Sequence, residues 1–376
     1  MTMLTSAEAE ELSYAVRGVC ARMATEADIR EFVDTASEFG DDLWQVLCSQ
    51  IEVAAIAAPE NCGGAGLGAS TLGIVAHELG RVLAPVPFLS SAVWATGILA
   101  ASPDPPVDVL TALAVGRSTA AVVAGSSMPL SGRDATVHAQ RIGQIWSLSG
   151  TADHVLGGTT ADHLVVVARL AGESPSSAVF LTNATTAGLK RTAEPVLDST
   201  RPMATIEFDN AEADLLIEPD RADVIVGAAS DRAMALLTAE QVGAHERILE
   251  IATEYASTRH QFGCPIGSFQ AIKHRCADML VSLEWARSAS QAALQAADSD
   301  TPGTRAELRW RASMAKAVCS EALRDAAHAN LQIHGGIGFT WDHCAHLYLR
   351  RARTDEVLFG GPAMHWDRLG TEAQIL

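Results

Sequence analysis

The chain has 376 residues, of which 48% are hydrophobic and 19% charged, enough for a large buried core in two or three domains and too apolar for a disordered chain. A net charge of −18 argues against nucleic-acid binding, which leaves a basic footprint. No stretch approaches the roughly 20 uninterrupted apolar residues of a membrane helix. The opening MTMLTSAEAEELSY is acidic and polar, unlike a signal peptide. The seven cysteines, at 20, 48, 62, 264, 276, 319 and 344, lack CxxC spacing and read as reduced thiols of a cytoplasmic protein.

Residues 1–117 read as a helical domain. Leu43, Val46 and Leu47 repeat at helical spacing, and a second helix is expected over 72–83. Between them lies APENCGGAGLGAS, with glycines at 64, 66 and 68 but alanine at 69. No apolar strand precedes it, so it reads as a helix-entry loop rather than a dinucleotide fingerprint.

Over 118–219 the period changes. AAVVAG (120–125), QIWSLSG (144–150), HLVVVAR (163–169), AVFLT (178–182) and ATIEFDN (204–210) are short, β-branched and separated by turn signals. In the last, Ile206 and Phe208 share one face. Strands at this spacing without helices between them predict an antiparallel barrel or sandwich.

From 220 to 376 the pattern returns to helix, with alanine-rich runs over roughly 222–258, 269–298 and 304–333. Long helices of this kind predict a four-helix bundle. The first two runs are joined by RHQFGCPIGSFQ, broken by Gly263, Pro265 and Gly267. Arg259, Lys273 and Arg275 make this break basic, and Phe262 and Gln270 add a flat ring and an amide. That set suits a phosphate-bearing ligand with a planar ring system; ordinary solvated charges on a helix–loop–helix are the alternative. The third run ends in QIHGGIGF (332–339), where Gly335 and Gly336 leave backbone open to close approach.

The strings RHQFG at 259–263, FQ at 269–270 and QIHGGIGF at 332–339 resemble the flavin-binding signature of the acyl-CoA dehydrogenase family. IGSFQAIKH and GFTWDHCAHLYLRR look most like actinobacterial members serving steroid or other bulky CoA thioesters. The resemblance implies an α+β multidomain fold: an N-terminal all-α domain, a central antiparallel β-barrel and a C-terminal four-helix bundle, usually in a tetramer. It implies FAD as cofactor and an acyl-CoA as substrate, dehydrogenated at the α,β-bond. It also implies an electron-transfer flavoprotein as acceptor. In such proteins a glutamate takes the α-proton, and FAD straddles a subunit interface between one chain's barrel and its neighbour's bundle.

Carried over by position, Arg259 and Gln261 meet the pyrophosphate, Phe262 and Gln270 the adenosine half, and Gln332, Gly335 and Gly336 its other end. The barrel side departs from the family. VAGSSMPLSGRDA (123–135) replaces a Thr-Glu-Pro-x-x-Gly-Ser-Asp string, and His154-Val155-Leu156 replaces a Trp-Ile-Thr triplet. At the usual base position stands Phe359, and at the alternative one, a helix earlier, Ala233.

Three readings account for the missing base. A homologous partner subunit supplies it in a heteromer. Or Glu240, two turns beyond Ala233 among Leu236, Leu237 and Val242, is a relocated base in a homomer. Or the chain is a flavin monooxygenase, an oxidase or a non-catalytic CoA-ester binder on the same fold. Small side chains at Ala233, Ala235 and Ala239 leave room for a bulky acyl group. His334, His343 and His346 read as packing histidines rather than metal ligands. The run Arg350, Arg351, Arg353 is expected to hold carboxylates across an interface or to complement a helix C-terminus.

Overall fold

The computed structural model describes residues 4–35, 40–56, 58–124, 135–170, 176–299 and 301–372. The first region is helical: α1 (Ser6–Met23), α2 (Glu26–Thr35), α3 (Asp41–Gln50), α4 (Ala69–Arg81), a π-helical segment Phe88–Ala95, α5 (Thr96–Ala100) and α6 (Val107–Ala114). A capping box starts α1: the Thr5 hydroxyl accepts from the Glu8 amide, and the Glu8 carboxylate accepts from Thr5. The helix expected over 72–83 is α4. The glycine-rich segment before it is its entry loop, folded back on Ala58 and leading into Gly68 as N-cap.

The central region holds β1 (Ala120–Val123), β2 (Val137–Ile142), β3 (Ile145–Leu156), β4 (His163–Leu170), β5 (Ser177–Asn183), β6 (Leu189–Ala193) and β7 (Met203–Ile217). β3 pairs with β2 and β7, β5 with β7 and β4, and β6 with β7, all antiparallel. The expectation of a purely antiparallel sheet is corrected at β4, which runs parallel to both β1 and β2. The β2–β3 hairpin intervenes in sequence between β1 and β4, so the chain returns to the same end before β4 begins. Ile206 and Phe208 are buried in the β core with Leu148, Leu164 and Phe180, as their alternation requires.

The last region carries α7 (Pro219–Thr258), a two-residue-stranded hairpin of β8 (His260–Gln261) and β9 (Cys264–Pro265), α8 (Gln270–Ala297), α9 (Pro302–His334), α10 (Ala345–Val357) and α11 (Pro362–Glu372). Three long helices pack on one another, and the two short ones lie against α9. The N-terminal region joins this one where α4 crosses α7 at backbone contact distance. A Cβ on Gly80 would lie 2.1 Å from the Glu240 carbonyl oxygen, and one on Gly243 would lie 2.0 Å from that of His77. Among the described residues no helix is long and apolar enough to cross a membrane.

Candidate functional site

Two places matter: the hairpin with the end of α9, and the interior beneath the π-helical segment. The hairpin begins where α7 stops at Arg259, whose backbone N–H donates to the Tyr255 carbonyl at 2.9 Å. Its turn residues Phe262 and Gly263 both have positive φ, +53° and +81°, the geometry of a tight two-residue hairpin. A phenylalanine rarely adopts this conformation, and this one is 93% exposed, its ring touching only the edge of Phe269 at 6.1 Å. A strained, solvated aromatic is costly in an isolated chain and is understandable where another molecule covers it.

Arg259, Gln261, Gln270 and Gln332 are exposed too. The Gln261 amide donates to the His260 carbonyl at 3.0 Å, and that of Gln270 lies 2.7 Å from His274 Nε2. Among the described residues no carboxylate pairs with Arg259. At the end of α9, Gly335 has φ +63° and ψ −137°, so a side chain there is strained. A Cβ on Gly336 would meet nothing within 4 Å, so this chain itself gives no reason for glycine at that position.

The two segments are brought together by a stack. Tyr255 lies on His334 with centroids 4.2 Å apart and planes at 29°. Tyr255 precedes Arg259 by one turn, and His334 immediately precedes Gly335. All seven residues carried over from the sequence are exposed, on the segments that follow α7 and end α9, which this stack joins into one candidate surface. Its chemistry fits the pyrophosphate and adenosine of FAD: an unpaired guanidinium, three amides, a flat ring and open glycine backbone. Sequence reading missed Tyr255 and His334 as organisers of this surface, although each lies close to a residue already singled out.

The interior is different. Phe359 is fully buried, with φ +57°, and its ring meets Trp94 of the π-helical segment edge to face at 5.0 Å. The Trp94 indole N–H donates to Ser230 Oγ at 3.1 Å. The turn is fastened by its carbonyls: Lys316 Nζ donates to those of Glu356 and Gly360 at 3.1 and 3.2 Å, and His365 Nε2 to that of Phe359 at 3.0 Å. Burial draws the Lys316 ammonium down to about 8 and the His365 imidazole down to about 4. Ala233 is buried and cannot carry a proton.

The environment expected for Glu240, among leucines and valine, is corrected. Arg201 and Arg351 both grip its Oε1, Arg201 Nη2 at 2.6 Å. Arg201 Nε also binds Asp355 Oδ1 at 2.9 Å, and Arg351 Nε binds Asp198 Oδ2 at 2.6 Å. All five side chains are buried. Burial pushes the Asp355 carboxyl up to about 6, with Arg201 opposing. The cavity beside Glu240, lined also by Leu156, Thr200 and Arg201, measures roughly 20 Å³, room for about one water. Of the arginine run, Arg351 thus holds carboxylates of its own chain, Arg350 lies over the Trp341 ring, and Arg353 pairs with Glu356.

On the β side, His154 sits at a bulge of β3 with φ +59°. Its N–H and Nδ1 both meet the Glu194 carboxylate, at 2.8 and 2.5 Å. Val155 and Leu156 are buried. Of the string 123–135, residues 125–134 lie outside the described residues. His334 stacks on Tyr255, His343 lies tilted on His334, and His346 meets Trp341 edge to face; no metal-holding group of His, Cys, Asp and Glu occurs among the described residues.

Comparison with known proteins bears on both places. Residues 6–103 match the profile of the acyl-CoA dehydrogenase N-terminal domain and residues 228–373 that of the C-terminal domain. The chain is 34% identical over 367 residues to acyl-CoA dehydrogenase IpdE2 of Mycobacterium tuberculosis, covering 97% of each protein. Among solved structures it superposes on a chain of the ChsE4–ChsE5 complex of Mycobacterium tuberculosis with TM-score 0.87 and 29% identity, covering 100% of this chain and 99% of that one. It superposes on the Tcur3481–Tcur3483 steroid ACAD with TM-score 0.82 and 29% identity, covering 97% of each chain.

Proposed function

We propose, from the premise that this chain belongs to the acyl-CoA dehydrogenase family of FAD-dependent oxidoreductases, that it is one subunit of a heteromeric acyl-CoA dehydrogenase. A homologous partner supplies the flavin-facing β region and the catalytic base, and this chain supplies the pyrophosphate- and adenosine-binding surface. The observation that carries the reading is the contrast between the two places. The cofactor set is exposed and waiting for a neighbour, while both family base positions, Phe359 and Ala233, are buried and apolar. The pairing of two proteins in the ChsE4–ChsE5 complex and in Tcur3481–Tcur3483 supports it.

When bound, FAD supplies the redox chemistry by accepting a hydride. The residues of this chain bind and orient. Arg259 would neutralise the pyrophosphate, with Gln261 donating beside it. Phe262 and Gln270 would hold one side of the adenosine, and Gln332 with the Gly335–Gly336 backbone the other. Glu240 acts here as a structural counter-ion to Arg201 and Arg351, since a base needs access to a substrate and its surroundings leave none.

In this reading 1–117, 118–219 and 220–376 are the helical, β-barrel and four-helix-bundle domains. The pairing of β4 with both β2 and β5, which returns the sheet to its start, supports a barrel. The substrate class is the CoA thioester of a steroid or another bulky acid, as the steroid relative suggests. Family membership makes an electron-transfer flavoprotein the acceptor and a tetramer the assembly.

The test is the chain expressed alone. It is expected to oxidise no acyl-CoA in a dye-reduction assay and to retain no stoichiometric FAD. Turnover with bound FAD by the isolated chain would refute the reading.

A further inference from the structure

The Tyr255–His334 stack continues on the other side of the imidazole. His343 lies on His334 with centroids again 4.2 Å apart, planes at 42°. His334 is buried between the two rings. Its Nδ1 donates to the Asn330 carbonyl at 2.9 Å, which leaves Nε2 as the bare nitrogen of a neutral ring. That Nε2 is buried and has no hydrogen-bond partner among the described residues. The neutral ring already bears the cost of one buried, unpaired acceptor there. A proton added to it creates a charged N–H with no acceptor, between two aromatic faces.

The position of the ring gives this chemistry a consequence. Its chain neighbour is Gly335, and the carbonyl of its stacking partner Tyr255 caps Arg259. The imidazole is thus one contact between the end of α9 and the end of α7, set beside the buried Ala252, Ala256 and Ile333, and the one that can take up a proton. We propose that His334 is the positioning residue that keeps the two halves of the cofactor surface in register, and that its protonation separates them and releases the cofactor. The proposal rests on the cofactor reading above.

The groups facing the stack set the sign. Tyr255 on α7 offers a ring face that favours a cation. The Asn330 carbonyl favours it too, and burial opposes it; beyond His334, the same cluster holds His343 before α10, His346 and Arg350 on α10 and Arg30 on α2. Glu26 on α2 is the carboxylate that favours a proton on His343 and His346, and Asp342 adjoins His343 in the chain. Burial dominates and holds both His334 and His343 below the ordinary histidine range. Release therefore begins only below about pH 6.5.

The experiment uses the complex co-expressed with a homologous partner. FAD retention is measured by filtration from about pH 8 to about pH 5 for wild type and for His334→Phe, which keeps a stacking ring but takes no proton. Wild type is expected to lose affinity about tenfold per pH unit below its transition, as one coupled proton dictates, and His334→Phe to stay within about twofold. Parallel loss in both, or tighter binding in acid, overturns the proposal.

Hydrogen exchange of residues 330–336, compared between wild type and His334→Phe at each pH, separates this proposal from the cofactor reading. A complex without FAD at about pH 8 refutes that reading alone. Greater acid opening in wild type still supports His334 as the titrating contact, and equal exchange removes it.

Discussion

Trp94 and Phe359 meet edge to face at 5.0 Å, both buried, so an indole walls in the position that we propose corresponds to the family's catalytic base. The pair joins the π-helical segment to the turn after α10, two elements far apart in sequence. Phe359→Glu would place an unpaired carboxylate against an indole. We expect it to destabilise the chain by about 3–5 kcal/mol in urea unfolding and to give no dehydrogenase activity. Because Phe359 has φ +57°, Phe359→Gly should cost no more than Phe359→Ala, the reverse of the usual order, by about 1 kcal/mol.

Glu240→Gln leaves Arg201 and Arg351 buried with one counter-charge fewer. The expected loss is about 3–5 kcal/mol of stability, read from the denaturant midpoint. Turnover per intact complex should stay within about twofold. A large fall in turnover with unchanged stability would instead make Glu240 a base.

The cofactor surface predicts the opposite pattern. Arg259 is exposed and unpaired, so Arg259→Ala should leave the unfolding transition in place while weakening FAD by about 1.5–3 kcal/mol, the range for a charged hydrogen bond. Gly336→Val should act likewise, because a Cβ there meets nothing of this chain. Equilibrium dialysis of FAD beside a melting curve decides both. Loss of stability without loss of FAD would refute the assignment.

Acid should destabilise the fold in two stages. His245, His346 and His365 are held down to about 4, chiefly by burial, so between about pH 6.5 and 4 the unfolded chain binds protons that the native chain does not. Asp355, raised to about 6, works the other way and below that pH cancels about one of these three protons. Stability is thus expected to fall as pH drops through that window, by about 2.7 kcal/mol per pH unit below about pH 6. Below the ordinary glutamate range a second loss begins. Glu78 and Glu246 are both held near about 2, the first by His77, Arg17 and Ser13 against its burial, the second by His77 first and then Arg81. Urea midpoints at a series of pH values check this; a flat profile from neutral pH to pH 4 would contradict it.

What the sequence revealed was whatever is local. The alanine-rich runs fall within a few residues of α7, α8 and α9, because a 3.6-residue repeat carries its own boundary signals in Pro219, Thr301 and Gly335. The alternation of ATIEFDN named the buried face of β7 correctly. The parallel neighbours of β4 were not legible, since nothing in a strand's own residues records which way its partner runs. Glu240 was misjudged for the same reason. Its near neighbours are apolar, but its ion-pair partners Arg201 and Arg351 come from a β-loop and a distant helix. Trp94 was overlooked because a π-helical segment breaks the period that would have marked its inward face. A motif marks the exposed residues of the proposed cofactor surface, while the Tyr255–His334 contact between their segments needs coordinates.

The most direct measurement is a flavin-to-chain count on the complex formed when this chain is co-expressed with a homologous partner chain. The account predicts one FAD per two chains, with acyl-CoA oxidation by the complex and none by this chain alone. One FAD per chain in an active homomer would contradict it.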